Sequence, residues 1–462
     1  MTTWLKEWQP EDAAFWRETG QRIAKQTLII TTLALTLSFA TWFVMSAVVV
    51  RLPNIGFQFT TLQLFWLGAM PGLAGGTLRI VNAFLIPMFG TRHIVTITTL
   101  LKILPCVGLG LAILNPETPF WVFVLLALAL GLGGGDFSSY MPSTSLFFPR
   151  RLQGTALGIQ AGIGNFGVSL TQFVTPWIIG FALFGALLGG SQTFVKGDVT
   201  RPIWVQNAVF WFVPFLLVVG IAAWLLLRSV PVRATFRQQL DIFKDRHTYF
   251  CTITYVMTFG SFSGLAAAFP LMIRTLYGDF PNAPDPLTYA FLGPLVGSLM
   301  RVVMGWPSDR WGGSIFTQLA GAGLIVCGVI LIFGGYLAPT SRDQFPMFVI
   351  LMVLLFFFAG IGNASTFRQY PIIFSHSPRQ AAGVIGFSAA IAAYGPFIFS
   401  ALIGISISVT DSATPFFWGA IVYWAIASWV NWWYYTRPGK HRWDFGTKWG
   451  TWWGDSRGSR LT

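Results

Sequence analysis

Two stretches of the chain share one spacing pattern: GGTLRIVNAFLIPMFGTR at residues 75–92 and VGSLMRVVMGWPSDRWGG at residues 296–313. Each contains a glycine, an arginine four residues later and a second glycine eleven residues after the arginine. The matched residues are Gly75, Arg79 and Gly90 in the first stretch and Gly297, Arg301 and Gly312 in the second. The pattern indicates a parallel internal repeat at an offset of 222 residues.

A second set of matches supports the same repeat at an offset of 229 residues. Six residues recur in the same order: two glycines, two prolines, an arginine and a final glycine. The first copy is Gly131, Gly133, Pro142, Pro149, Arg150 and Gly154, and the second is Gly360, Gly362, Pro371, Pro378, Arg379 and Gly383. The chain is therefore predicted to consist of two halves with the same orientation.

The composition places both halves in a membrane. Of the 462 residues, 54% are hydrophobic and only 10% are charged, far below the roughly 25% charge of a soluble domain. The abundance of Trp and Phe also excludes a disordered chain. Long runs with almost no charge reach the roughly 20 residues that cross a hydrocarbon core as a helix. They include Thr27–Val50, Trp204–Leu227, Ser314–Leu337 and Pro415–Tyr435.

Apolar segments along the chain predict an all-α membrane protein with twelve transmembrane helices. Their approximate bounds are 27–50, 61–89, 94–114, 119–148, 154–180, 204–228, 248–273, 288–307, 314–337, 346–375, 381–408 and 415–435. The predicted organisation is an N-terminal segment, a six-helix half, a linker, a second six-helix half and a basic tail. These parts cover residues 1–26, 27–228, 229–247, 248–436 and 437–462.

The distribution of Lys and Arg predicts the orientation. Most loop cations lie on the side of the two termini, which the positive-inside rule assigns to the cytoplasm. The bias accounts for most of the formal net charge of +13, so no nucleic-acid partner is expected. The first 26 residues are polar and mixed in charge, which is unlike a cleavable signal peptide. We expect a multi-pass protein of the inner (plasma) membrane.

Two like-oriented six-helix halves resemble the major facilitator architecture, whose substrate site lies between the halves. The segment Gly305–Gly313 also resembles the G-x-x-x-D-R-x-G-G loop motif of that superfamily. Its counterpart in the first half keeps only Gly90 and Arg92. The resemblance implies a major facilitator fold and a carrier that works by alternating access.

Arg79 and Arg301 are the strongest candidates for a substrate site, because charged residues inside spans are rare and usually functional. They are repeat mates, and neither has an acidic residue within one turn of its own helix. Each could instead snorkel to the membrane surface or form a structural pair. If the halves face each other, the two guanidinium groups converge and favour a small planar oxyanion, which accepts paired hydrogen bonds.

A run of glycines in the fifth segment predicts close helix packing. Its members are Gly154, Gly158, Gly162, Gly164 and Gly167. The last part matches G-x-G-x-x-G, but no strand precedes it, so a dinucleotide site is rejected. Glycine at every fourth position instead gives a smooth helix face. Asn165 within this run would be unsatisfied in lipid, so it points to a cavity or a partner; its repeat mate is Tyr394.

Together these motifs resemble the nitrate/nitrite porters of the NarK type. The resemblance rests on GGTLRI, GGGDFSSYMPSTSLFFPRR, GIGNFGVS, GSLMR, GIGNASTFRQYP and the pattern from Trp8 to Trp16. It implies that Arg79 and Arg301 bind the anion between two phenylalanines, with an asparagine and a tyrosine nearby. These are Phe137, Phe367, Asn165 and, by a weaker match, Tyr255 in TYVMTFGSF. The implied partners are nitrate, nitrite, protons in the case of symport, and the lipid bilayer.

Asp136 and Arg368 depart from the pattern of that family. They lie about one helical turn apart in the repeat, on the fourth and tenth helices. In one interpretation they form an ion pair that gates the cytoplasmic side. In the other, Asp136 accepts a proton and couples nitrate to proton entry. Proton symport is slightly favoured over nitrate/nitrite antiport.

Other functions remain open at this point. Another small anion, such as a monocarboxylate, would also fit two arginines, and a receptor or structural role is a further alternative. An enzyme is not expected, because no nucleophile with a base and no cluster of metal ligands lies within the spans. We accordingly predict no cofactor and no metal. The cysteines, Cys106, Cys251 and Cys327, give no disulfide framework, and nothing implies oligomerisation.

Overall fold

The computed structural model describes residues 4–83, 85–183, 188–231 and 240–437. Within these residues the chain forms twelve long helices, in agreement with the predicted number. They are α1 (Ala13–Val48), α2 (Thr61–Asn82), α3 (Thr91–Leu114), α4 (Phe120–Phe147), α5 (Arg150–Ile178), α6 (Asn207–Leu226), α7 (Arg246–Tyr277), α8 (Pro286–Val303), α9 (Gly313–Phe333), α10 (Arg342–Ile373), α11 (Gln380–Thr410) and α12 (Thr414–Asn431). The basic tail predicted at 437–462 lies outside the described residues except for Arg437.

The internal repeat is visible in the backbone after α2 and after α8. A short helix follows each of them, Leu85–Phe89 in the first half and Gly305–Trp311 in the second. Each short helix ends at a glycine with positive φ, 79° at Gly90 and 97° at Gly312. Only glycine adopts this conformation at little cost, which explains why the motif contains glycine at both positions. The two halves therefore share local geometry as well as spacing.

Glycines also explain how the helices of each half approach one another. A Cβ atom on Gly131 of α4 would lie 2.8 Å from the backbone nitrogen of Gly75 on α2. A Cβ atom on Gly360 of α10 would lie 2.9 Å from the Cα atom of Gly297 on α8. These are the same four positions that the repeat matched in the sequence. Any larger side chain would separate the crossing helices.

The first helix begins earlier than predicted, because its polar start packs as a short extension of the span. Trp16 is buried with Phe147, Phe148 and Val230, while Trp8 donates a hydrogen bond to the carbonyl of Leu146 (3.0 Å). The backbone of the same segment reaches the start of the linker, where the amide of residue 5 donates to the carbonyl of residue 229 (2.9 Å). We call this end of the molecule the linker side.

The opposite end carries a two-stranded hairpin that the sequence did not predict, formed by β1 (Gln192–Lys196) and β2 (Val199–Ile203). We call it the hairpin side. The hairpin belongs to the first half but reaches the second, since Lys196 donates to the carbonyl of Ala283 (3.2 Å).

A cross-half ion pair lies beside the hairpin. Arg51 follows α1, and its Nη2 lies 2.9 and 2.7 Å from the two carboxylate oxygens of Asp285, the residue that caps α8. Arg274 of α7 adds hydrogen bonds to the carbonyl of Val50 (2.5 Å) and the side chain of Asn54 (2.7 Å). These contacts hold the two halves together on the hairpin side.

Candidate functional site

Arg79 lies near the linker-side end of α2 and is fully buried. Its Nε donates to the carbonyl of Gly134 on α4, and its Nη1 donates to the carbonyl of Ala389 on α11, both at 2.7 Å. Nη2 is buried and has no partner in the described part of the chain. The guanidinium is thus fixed by both halves and retains one donor group for a ligand.

Arg301 occupies the equivalent position near the end of α8 and is 5% exposed. Its Nη2 donates to the hydroxyl of Tyr255 on α7 at 3.3 Å. Among the described residues its Nη1 finds no acceptor. Both arginines therefore keep a buried N–H group free, and a buried unpaired donor is costly unless an acceptor arrives.

The two guanidinium groups face the same aromatic rings. The Cζ atoms of Arg79 and Arg301 lie 4.7 and 5.9 Å from the ring centre of Phe137. The corresponding distances to Phe259 on α7 are 5.2 and 5.8 Å. These geometries are within the range of cation–π contacts, which stabilise a positive charge over a ring face. The arginines of the two halves thus converge on one location.

Phe367 and Tyr255 complete the aromatic wall. Phe367 on α10 lies 6.1 Å from Phe137 and 4.6 Å from Tyr255, ring centre to ring centre. Tyr255 is stacked on Phe259 at 5.4 Å with the planes almost parallel. The structure therefore brings Arg79, Arg301, Phe137, Phe367 and Tyr255 together.

A π-helical turn shapes this part of α7. The segment Val256–Gly260 is π-helical and directly follows Tyr255. Such turns interrupt the regular α-helix and are frequent at functional sites. Here the turn contains Phe259, the ring that both guanidinium groups face.

Asn165 on α5 is fully buried, and neither atom of its amide has a partner in the described structure. Two turns along the same helix face, Gln172 donates to the carbonyl of Ala266 on α7 (2.9 Å). Two turns before Ala266 along α7 lies Phe259. Because α5 and α7 run in the same direction, Asn165 lies at the depth of Phe259. No described hydrogen bond or ring contact joins it to either arginine.

The glycine run around Asn165 packs against two different helices. A Cβ atom on Gly164 would lie 2.8 Å from the side chain of Leu35 on α1, in the same half. Gly162 instead faces Val302 on α8, in the other half. At Gly158, a Cβ atom would meet nothing within 4 Å. Gly164 thus packs within the first half, whereas Gly162 packs between the two halves.

The ion pair considered between Asp136 and Arg368 is absent. Asp136 is fully buried and pairs with Lys102, which lies at the break between the two segments of α3; it also accepts a hydrogen bond from Ser38 (2.6 Å). Arg368 pairs instead with Asp309 of the loop motif, with Nε and Oδ1 2.7 Å apart. Each charge has a nearer partner in its own half, so neither is available to join the halves.

Comparisons with known proteins decide the family. The profile described as Major Facilitator Superfamily matches residues 30–370. The chain is 60% identical to the probable nitrate/nitrite antiporter NarK2 of Thermus thermophilus over 95% of this chain and 98% of the relative. The chain belongs to the nitrate/nitrite porter family of the major facilitator superfamily. This membership confirms the family and the fold class predicted from the sequence.

Two further comparisons agree. The porter is 35% identical to the nitrate/nitrite transporter NarU of Escherichia coli over 94% of this chain and 96% of the relative. Among solved structures, a bacterial homologue of the human lysosomal transporter Spinster matches with a TM-score of 0.63 at 14% identity, covering 88% of this chain and 96% of that chain. That structure was described as inward-facing and unoccupied. At this identity the likeness concerns the fold alone.

Sequence reasoning missed several residues that lie in or near the candidate site. Lys102 is a charged residue inside an apolar run, and its presence there could have indicated a buried partner such as Asp136. Phe259 lies one turn after Tyr255, but one more phenylalanine in a membrane helix gives no signal. Trp42 of α1 has its ring centre 5.2 Å from Cζ of Arg79, but nothing in the sequence around it indicated this contact. Asn363 of α10 is fully buried with both amide atoms unpartnered in the described chain, and a polar residue directly after Gly360 and Gly362 in an apolar run could have revealed it.

Proposed function

We propose that the porter carries nitrate and nitrite across the plasma membrane by alternating access, with Arg79 and Arg301 binding the anion. The observation that carries this proposal is the pair of buried guanidinium groups that face the same rings and each retain an unpartnered N–H. The printed names of the relatives, a nitrate/nitrite antiporter and a nitrate/nitrite transporter, agree with it. In this proposal both termini face the cytoplasm, so the hairpin side faces outward.

The shape of the site favours a small planar oxyanion. A guanidinium group donates two coplanar hydrogen bonds, so its fork suits a flat anion better than a spherical one. The rings of Phe137, Phe259 and Phe367 surround the same location and leave little room for a bulky group. A monocarboxylate has the same two oxygens as nitrite, but its apolar carbon group would have to pack where nitrate places its third oxygen.

The charges favour nitrate/nitrite exchange over proton symport. An empty site leaves two guanidinium N–H groups buried without acceptors, so reorientation without an anion is costly. Asp136, the candidate proton acceptor, already forms a buried ion pair with Lys102 of the same half. The slight preference for symport drawn from the sequence is therefore reversed here. The unpartnered Oδ1 of Asp136 is the one observation that favours symport.

Alternating access requires that the contacts on one side break while those on the other side form. On the hairpin side the halves are joined by Arg51 and Asp285, by Arg274 and by Lys196. Near the site they are joined by the bond from Arg79 to Ala389 and by the bond between Thr77 and Tyr394 (2.8 Å). We propose that outward opening breaks the first group of contacts while the anion remains bound to the arginines.

The test is uptake of isotopically labelled nitrate into proteoliposomes that contain the purified porter. With nitrite inside and no pH gradient, we expect rapid uptake that unlabelled nitrate and nitrite suppress and acetate does not. With an empty lumen and an inward proton gradient, uptake should be slow. Fast uptake only with the proton gradient would establish symport. Suppression by acetate as strong as that by nitrite would replace the nitrate proposal with the monocarboxylate alternative.

A further inference from the structure

Asn363 has no role in the site described above, yet its environment is that of a ligand-binding residue. It is fully buried, and both its amide nitrogen and its amide oxygen are without partners in the described chain. A buried amide without hydrogen bonds costs about 1–3 kcal/mol per polar group. Asn431, a buried asparagine on α12, shows the usual solution, because its nitrogen donates to the carbonyl of Ser314 (2.9 Å).

The position of Asn363 follows from the contacts of its neighbours on α10. Phe356 and Phe367 precede and follow it by seven and four residues, so the three side chains share one helix face. On that face Phe356 contacts Phe262 of α7 (5.7 Å), and Phe367 contacts Tyr255 of α7 (4.6 Å). Asn363 lies between these two contacts and therefore opposite the stretch of α7 that contains Phe259.

The depth of Asn363 relative to Arg301 can be obtained independently from α8. The backbones of α8 and α10 cross at Gly297 and Gly360. From that crossing, Arg301 is four residues further along α8 and Asn363 is three residues further along α10. The two helices run in the same direction, so both side chains lie about one turn to the linker side of the crossing. Asn363 is therefore placed beside the anion site, on the C-terminal half.

We propose that Asn363 is a specificity-determining residue that donates a hydrogen bond to the third oxygen of nitrate. The inference rests on the proposed function and deepens it. Nitrate presents three oxygens and nitrite two, so nitrate can accept a hydrogen bond from one more donor than nitrite can. A binding site that hydrogen-bonds a polar group of its ligand discriminates strongly against ligands without that group. When such a ligand binds, the polar side chain of the site is left buried without a partner.

The test measures the dissociation constants of nitrate and nitrite for the detergent-purified porter, both wild type and Asn363→Leu. The leucine side chain has a volume similar to that of asparagine but no hydrogen-bond donor. We expect nitrate affinity to fall at least tenfold, while nitrite affinity changes by less than threefold. Asn363→Ser, which retains a short donor, should show an intermediate loss for nitrate. Asn431→Leu is the matched control for losing a buried asparagine, and the ratio of the two affinities should stay unchanged in it.

The outcomes separate the inference from the proposed function. An unchanged nitrate-to-nitrite affinity ratio in both Asn363 variants would overturn the specificity role while leaving the function intact. A wild-type porter that binds neither anion would overturn both. If Asn363→Leu is not recovered as folded protein, the Asn363→Ser ratio decides alone: equal losses for both anions refute the inference.

Discussion

Arg79 and Arg301 occupy equivalent positions of the repeat but are held in different ways. Arg79 is completely buried and donates to two backbone carbonyls, one in each half. Arg301 is held by the single hydroxyl of Tyr255. The backbone carbonyls of packed helices are held in place, whereas the Tyr255 side chain can move and release the N–H of Arg301 that it accepts. The first half therefore supplies a fixed donor and the second an adjustable one.

The neighbouring helices show the same contrast. In the first half, α3 and α4 are joined by the buried ion pair of Lys102 and Asp136. The repeat position of Asp136 in the second half is Ser365, and its hydroxyl is hydrogen-bonded to that of Thr317 on α9 (2.9 Å). One half uses a charged contact where the other uses neutral hydroxyls. Contacts at equivalent positions of the repeat are thus expected to contribute differently to stability, and the variants below measure that difference.

The largest expected effect is on stability, at the ion pair. Asp136→Asn leaves Lys102 as an uncompensated buried charge, which should cost about 3–5 kcal/mol. Ser365→Ala, the matched change in the other half, removes one neutral hydrogen bond and should cost about 1 kcal/mol. The measurement is the midpoint of thermal unfolding in detergent. Adding Lys102→Met to Asp136→Asn should recover most of the lost stability, because the buried charge is then removed. Equal unfolding midpoints for Asp136→Asn and Ser365→Ala would contradict the contrast between the halves.

The next effect concerns the arginines themselves. Arg79→Lys keeps the charge but cannot satisfy both carbonyls and a ligand, so nitrate uptake should fall about a hundredfold, or roughly 2.7 kcal/mol. Arg301→Lys loses the fork alone, and we expect a fall of about tenfold. Exposed Arg22→Lys serves as the control. The comparison fails if Arg301→Lys is the more damaging variant in the proteoliposome assay, and the two-arginine site fails if both variants transport normally.

A third variant tests the packing between the halves. Gly162→Leu would place a side chain against Val302 of the other half, so it should obstruct rocking while leaving the arginines in place. We expect nitrate binding to persist and exchange to fall about tenfold. Gly158→Leu, one turn earlier in open space, should transport at near wild-type rate. Equal activity in the two leucine variants would show that α5 and α8 do not approach each other during transport.

The smallest effect is expected on the hairpin side. Asp285→Asn preserves the cap of α8 but weakens the pair with Arg51, so this side should open more often. The measurement is the labelling rate of a cysteine introduced by Val50→Cys, next to Arg51, with a membrane-impermeant maleimide. We expect Asp285→Asn to accelerate this labelling about threefold. The native cysteines are buried, so the introduced cysteine should dominate the signal. Asp198→Asn in the hairpin is the control. Identical labelling rates would exclude the ion pair as part of the closure.

The sequence predicted the helices and the repeat because both follow from local patterns. Apolar runs fix the spans, and Gly90 and Gly312 mark turns that only glycine tolerates. The same patterns do not reveal which side chains meet. Lys102 and Asp136 are 34 residues apart, and a charge within a span indicates that a partner is needed without naming it. Asp136 was therefore considered with Arg368, which shares its depth but lies in the other half.

The buried charges near the site also create an electrostatic potential. Arg79, Arg301 and Lys102 are positive and Asp136 is negative, so these four side chains leave a net surplus of two positive charges. In a medium of low dielectric constant such a surplus acts over several ångströms and is weakly screened. In the proposed site this surplus would disfavour the approach of a cation such as sodium or potassium. Under the proposed function, the electrostatic field would reject cations, and the two arginines would have only to distinguish one anion from another.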